Sequence, residues 1–175
     1  MFIIHDQTRY AKLLETVAMA INEQEFRNAL GRFASGVTVV TAKGIDGSIR
    51  GITVSAFSSL SLAPPLVLIC IDNRSSLQDH LEINSYFAVN ILSEEQEFIS
   101  RRCASKEPNR FEGLSHSISK KGLPLLDDAL AHIECRIIST YPGGDHKILI
   151  GEVETVKMKE GNPLTYFRGA YRSLS

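Results

Sequence analysis

Ile133-Glu134-Cys135-Arg136-Ile137, the turn Pro142-Gly143-Gly144-Asp145 and the return run over residues 147–158 decide the fold. Ile133, Cys135 and Ile137 alternate with Glu134 and Arg136, the period of two that sets one face of a strand on a core and the other in water. A glycine-rich turn joining this run to a second, mostly alternating one predicts a long antiparallel hairpin.

Working outward, residues 66–71 and the run Tyr86-Phe87-Ala88-Val89-Asn90-Ile91-Leu92 are apolar enough to be buried strands. Residues 37–42 and 49–57, joined by a Gly/Asp turn over 44–48, read as a second hairpin. Asn90 within its apolar strand is expected to satisfy buried backbone groups. Five to seven strands with few long helices imply a closed or nearly closed antiparallel barrel, because closure removes edges that otherwise need protection. The class is therefore mainly β with flanking helices (α+β).

Helical spacing appears twice near the start, first at Tyr10, Leu13, Leu14, Val17, Ala18 and Ile21, then at Phe26, Ala29, Leu30 and Phe33. Asn22 with Glu25 reads as a capping box for the second helix, and Gly36 as its stop. Residues 1–22 are taken as an N-terminal helical extension and 23–175 as one domain. Residues 76–82 suit a short helix, and Ser93 with Gln96 caps another that runs through Cys103.

A hydrophobic share of 43%, a charged share of 22% and a net charge of −1 are those of an ordinary globular domain. They provide no bulk attraction to nucleic acid or anionic lipid. The opening Met1-Phe2-Ile3-Ile4-His5-Asp6 lacks the basic segment of a signal peptide and no stretch suits a membrane span, so a cytoplasmic location is expected. Cys70, Cys103 and Cys135 are read as reduced thiols, with Cys70 and Cys135 as packing residues.

Thr53-Val54-Ser55-Ala56-Phe57-Ser58-Ser59-Leu60-Ser61 runs through Pro64-Pro65 into an apolar strand. On composition alone Ser58 to Ser61 reads as a solvated loop. Its hydroxyls can each donate or accept, which suits a planar ligand rich in hydrogen-bonding groups, such as a flavin, better than a metal ion. Ser75 and Ser76 precede an expected helix whose free N–H groups favour phosphate, and Arg74 adds a cation beside them.

Other signals are absent or misleading. No G-x-G-x-x-G follows a strand, so a Rossmann dinucleotide site is not indicated. Gly31 to Thr38 mimics a phosphate-binding loop, but Val37 stands where the lysine is required and a helix precedes it in place of a strand. The histidines, at 5, 80, 116, 132 and 146, have no metal-ligand spacing, so no metal is expected. His132 reads as an outward-facing strand residue.

Six separated pieces, in order, are similar to the flavin reductases that serve two-component flavin monooxygenases. They are Phe26-Arg27-Asn28-Ala29-Leu30-Gly31-Arg32-Phe33-Ala34-Ser35-Gly36-Val37-Thr38-Val39-Val40-Thr41, the segment from Thr53 to Pro65, Cys70-Ile71-Asp72-Asn73-Arg74-Ser75-Ser76, Phe87-Ala88-Val89-Asn90-Ile91-Leu92, Gly144-Asp145-His146-Lys147-Ile148-Leu149-Ile150-Gly151-Glu152-Val153, and Pro163-Leu164-Thr165-Tyr166-Phe167-Arg168-Gly169-Ala170-Tyr171. The resemblance implies an FMN-binding split β-barrel, usually a homodimer. Its activity would be reduction of FMN or FAD with NADH or NADPH, and its partner a separate monooxygenase.

Carried onto matching positions, Thr53, Val54, Ser55 and Ala56 would lie along the isoalloxazine edge, with Ser58 and Ser59 near the ribityl chain or phosphate. Asn73, Arg74, Ser75 and Ser76 would form a second polar wall, His146 would face the nicotinamide, and Phe111 and Tyr171 would cover the ligand. The family often has Asn-Ser where this chain has Ser55-Ala56, and Asp where it has Ala63. Two other readings stay open on the fold alone: an electron carrier with tightly bound FMN, and a non-catalytic flavin- or haem-binding split barrel.

Overall fold

The computed structural model describes residues 21–44 and 46–174. The first expected helix and the extension over 1–22 lie, but for Ile21 and Asn22, outside the described residues. Twelve strands and two α-helices follow in the order α1 (Glu23–Leu30), β1 (Ser35–Gly36), β2 (Thr38–Lys43), β3 (Ile49–Val54), β4 (Phe57–Leu62), β5 (Pro65–Asp72), β6 (Tyr86–Ile91), α2 (Glu97–Ala104), β7 (His116–Ile118), β8 (Pro124–Leu126), β9 (Ala131–Gly143), β10 (His146–Met158), β11 (Thr165–Phe167) and β12 (Ala170–Arg172).

Seven strands form the main sheet in the order β3-β2-β6-β9-β10-β5-β4, with every pairing antiparallel. Its centre is the β9–β10 hairpin, which shifts register between Ile150 and Gly151 and again between Val153 and Thr155. Such bulges bend a long ribbon and increase its twist. The two edge strands, β3 and β4, are consecutive in the chain and joined through Ser55 and Ala56 alone. The sheet thus coils until its edges meet at that link without a hydrogen-bonded pair closing them. It is the split barrel that the resemblance implied, nearly but not fully closed.

Alternation along β2 supplies two cores. Val40 and Ala42 face a cluster with Ile52, Val54, Ile69, Phe87, Ile137 and Leu149. Val39, with Val37, faces outward to Leu92, Ile99, Cys103, Phe111, Leu126 and Leu164, a second layer that seats α2 on the sheet. The expected capping box is made, with Ser93 accepting at the start and the Gln96 side chain reaching back to the Ser93 N–H at 3.1 Å. Fully buried Asn90 stitches three segments: its Nδ2 donates to Val39 O and Thr41 Oγ1, and its Oδ1 accepts from Leu126 N.

Several expectations change. Helix α1 is capped by Asn22, which accepts from Gln24 and Glu25 N–H, but it stops at Leu30 with Gly31 as cap, five residues before Gly36. Residues 58–61 belong to the edge strand β4, because Phe57, Ser58 and Ser59 pair with Ile69, Leu68 and Val67. Residues 76–82 form a single 3₁₀ turn over Gln78–His80, too short to carry a helix dipole. His132 is half-buried and its Nε2 lies 2.8 Å from Leu126 O, so it ties β9 to the β8 turn instead of facing water. All three cysteines are free, Cys103 and Cys135 buried and Cys70 half-buried. No helix among the described residues is long and apolar enough to cross a membrane.

Candidate functional site

The β3–β4 link is a short stretch of strand edge left without a ladder partner on one side, and it exposes the residues the hydroxyl-rich segment singled out. Ser55 and Ala56 are exposed, while Ala56 O accepts from Cys70 N at 3.0 Å and so holds the link onto β5. Val54 is buried, 5% exposed, and contributes backbone only. Thr53 Oγ1 donates to Ser100 O at 2.7 Å, which fixes β3 to α2.

Two cavities flank this link. One, of about 470 Å³, is lined by Thr53, Arg74, Ser75 and Ser76 together with Ser105, Lys106 and Arg110. The other, of about 1050 Å³, is lined by Ser55, Ala56 and Ser58 together with Gly31, Arg32, Phe33, Tyr166 and Arg168. Sequence reasoning grouped residues 53–59 and 73–76 on one ligand, and the structure brings the two groups to opposite ends of the same short segment.

The smaller cavity has a cationic floor. Arg110 donates through Nε to Gly51 O at 3.0 Å, through one terminal nitrogen to Ser105 O at 2.7 Å and through the other to Ser76 Oγ at 3.3 Å. Among the described residues it has no carboxylate partner, and burial pulls its pKa down from the ordinary arginine value. Lys106 lines the same wall, exposed. Arg74, by contrast, is spoken for: its Nε and a terminal nitrogen donate to the two oxygens of Asp72 at 3.1 and 2.7 Å. That guanidinium holds the Asp72 carboxyl well below the usual carboxylate range. Ser75 Oγ accepts from Leu77 N, capping only the 3₁₀ turn.

Residues 105–110 went unnoticed in the sequence because they sit in a helix-terminating loop with no motif. The one available signal was a polar, basic stretch between two apolar segments. Phe111, expected as a ligand cover, is core instead: it is 6% exposed and its ring packs against Gly51, where an added Cβ would stand 2.4 Å from it. Tyr171 is half-buried, its hydroxyl 2.8 Å from Ser100 Oγ and its ring 4.7 Å from the Arg101 guanidinium. It lines neither cavity, nor does Ser59.

His146 opens β10 opposite Asp72, with its Nδ1 2.7 Å from Asp145 Oδ1. Asn73 N donates to Asp145 O and Asn73 Nδ2 to Gly144 O, so the 72–76 turn and the β9–β10 turn form one polar rim. No group of three or more His, Cys, Asp or Glu residues among those described has the arrangement of a metal site.

A coiled seven-strand sheet split at a hydroxyl-bearing link, with cationic cavities on either side, is the frame of a flavin reductase-like split barrel. The family model for the flavin reductase like domain matches residues 30–175, and the chain belongs to that family. It is 39% identical over 158 residues to the reductase subunit of a flavin-dependent monooxygenase of Rhodococcus jostii, covering 90% of this chain and 80% of that protein. It is likewise 39% identical to an NADH-dependent flavin reductase of a Rhodococcus species, over 85% of this chain and 84% of the other. Among solved structures, the NADH:FAD oxidoreductase of Streptomyces globisporus, in complex with NAD and FAD fragments, matches with a TM-score of 0.83 at 35% identity, covering 88% of this chain and 93% of that one.

Proposed function

We propose that this protein is an NAD(P)H:flavin oxidoreductase that reduces FMN or FAD and supplies the reduced flavin to a separate monooxygenase. The observation that carries the reading is the exposed Ser55–Ala56 link with a Ser76–Arg110–Lys106 wall beside it, in a cavity whose one lining carboxylate, Asp72, is paired with Arg74. The donor set fits a flavin phosphate: a guanidinium held by two backbone carbonyls presents its remaining N–H groups with little further ordering, next to a hydroxyl and an ammonium. We place the phosphate there rather than at Ser58 and Ser59, since Ser58 Oγ already donates to Ser59 O at 2.9 Å.

The isoalloxazine then lies along Thr53, Val54, Ser55 and Ala56, with Asn73, Ser75 and Ser76 on its polar side. When bound, the flavin supplies the redox chemistry by accepting hydride from the nicotinamide, which needs the reacting atoms about 3–3.5 Å apart. The chain's task is alignment. Ala56 keeps one ring face open by having no bulk beyond Cβ, and His146, oriented by Asp145, borders the side from which a nicotinamide approaches. A single fixed arginine as the main phosphate anchor suits micromolar affinity, about −8 kcal/mol, weak enough for release to a partner.

We further propose a homodimer. In the isolated chain α1 buries none of its residues, and Phe26, Leu30 and Phe33 are 52%, 59% and 82% exposed. Apolar groups on a helix, and on the turn after it, with no seat on their own core are suited to a partner surface.

The test is oxidation of NADH and NADPH by purified protein, with and without added FMN or FAD, followed as loss of nicotinamide absorbance. Turnover dependent on added flavin, from protein that is colourless after dialysis, is the expected result. Flavin binding without any nicotinamide oxidation would make it a binding module, and flavin retained through dialysis an electron carrier.

A further inference from the structure

Helix α2 is too short to hold itself in place. Its eight residues make about two turns, below the length at which a helix is stable alone, so its position comes from what its buried face touches. That face is Ile99, Ser100 and Cys103. Ile99 and Cys103 join the outer apolar layer, and apolar burial has no direction, so it does not by itself fix one setting of the helix. Ser100 is different, being polar and fully buried. Its hydroxyl stands 2.8 Å from the Tyr171 hydroxyl, and its carbonyl accepts from Thr53 Oγ1 at 2.7 Å.

These bonds run in a line from the last strand to the smaller cavity. Tyr171 is paired with Tyr166 across β11–β12, and its ring meets the edge of the Tyr166 ring and the guanidinium of Arg101. Arg101 is itself paired with Glu97 at 2.6 Å, one turn back on α2. At the other end of the line, Thr53 lines the cavity, as does Ala104, which lies one turn after Ser100 on the same helix face. The carbonyl of Ser105, the cap of α2, receives Arg110 at 2.7 Å. The setting of α2 therefore governs two walls of the cavity together, Thr53 through Ser100 O and Arg110 through Ser105 O.

We propose that Ser100 and Tyr171 are positioning residues for flavin binding: their hydroxyl pair holds α2 in the setting that aligns Thr53 with Arg110. The proposal rests on the reductase reading for what fills the cavity. It deepens that reading by giving Tyr171 a task at a distance, although its ring lines neither cavity beside the link. Neither hydroxyl has another hydrogen-bond partner among the described residues. Loss of one leaves the other unpaired, and for Ser100 that means an orphaned polar group in a dry layer. The helix then shifts to whatever setting the apolar layer permits, and Thr53 and Arg110 move out of register with each other.

Tyr171→Phe removes the hydroxyl and keeps the ring for Arg101 and Tyr166, and Ser100→Ala removes the same bond from the other side. The Kd for FMN is measured by flavin fluorescence, well below the thermal midpoints, for the unaltered protein, both variants and the double variant. Leu123→Ala serves as a control, because it opens a separate apolar cluster with Ala88 and Leu125. We expect each single variant to raise the FMN Kd about three- to tenfold and the double variant to raise it no further than the larger single. The KM for NADH at saturating FMN should hold, and the control should lower the thermal midpoint with FMN affinity intact. Unchanged Kd in both single variants, additive losses in the double, or an equal loss of FMN affinity in the control overturns the proposal. FMN bound with the expected pattern but neither NADH nor NADPH oxidised would leave the positioning role standing while the reductase reading fails. Flavin-dependent turnover with unchanged Kd in both variants would do the reverse, and an unaltered protein that binds no FMN would overturn both.

Discussion

Arg110 shows how one side chain can be both brace and ligand. Its hydrogen bonds to Gly51 O and Ser105 O tie the loop after α2 to β3, and the nitrogen that reaches Ser76 Oγ faces the cavity. Replacing it with glutamine should raise the FMN Kd about 10- to 100-fold, the loss of a hydrogen bond to a charged group, as read by quenching of flavin fluorescence. An unchanged Kd would remove Arg110 from the phosphate site. His146 sits at the rim, so His146→Ala should raise the KM for NADH a few-fold while FMN binding is retained. Residues whose role is set by their own strand were legible in the sequence: Asn90, an amide in an apolar run, could only be serving buried backbone. Arg110 was not, because its partners Gly51 and Ser76 lie far away in the chain and only the coiling of the sheet assembles them. Phe111 was misread for the same reason, since an aromatic after a polar loop looks identical whether it covers a ligand or fills a core.

Elements here are coupled through close approaches that a strand pattern hides. Gly51 in β3 is buried, and its missing side chain lets the Phe111 ring lie on the backbone while Gly51 O receives Arg110. Gly51→Ala should therefore cost about 1–3 kcal/mol by overpacking, lowering the thermal midpoint by several degrees, and should weaken FMN by shifting Arg110. A variant with normal stability and normal FMN affinity would contradict this coupling. The β9–β10 hairpin was readable from alternation and its glycine turn, and the Ser93–Gln96 box from spacing. The short elements were less so. Ser75 and Ser76 look like helix caps, yet Gln78 turns its amide back onto Ile71 O and Asp72 O and only a 3₁₀ turn forms. Ser58 to Ser61 look like a loop, yet pairing with β5 makes them an edge strand, because the ladder is decided by the partner's register rather than by local polarity.

At the scale of the whole molecule, the split barrel places its only two-residue link between edge strands where ligands can reach it, and the buried thiols record how dry the rest is. Burial pushes the Cys103 thiol up to about 11 and the Cys135 thiol up to about 12, above the ordinary thiol value of 9.0. Between pH 9 and 11 the unfolded chain has released these protons and the folded chain has not, so folding stability falls as pH rises, by up to about 1.4 kcal/mol per pH unit for each thiol. Urea midpoints should decline through that window, and less steeply in Cys135→Ala; a flat profile would contradict it. Exposed Phe26 and Leu30 should bring two chains together, so sedimentation should give a dimer at micromolar concentration, with Phe26→Asp shifting it towards monomer. The central claim is that flavin lies across the Ser55–Ala56 link, and the most direct test is FMN binding, followed by flavin fluorescence, to the unaltered protein and to Ala56→Trp. Ala56 is exposed, so the fold tolerates the indole, and the account predicts micromolar binding by the first and loss of binding by the second. Equal affinity in both would place the flavin elsewhere.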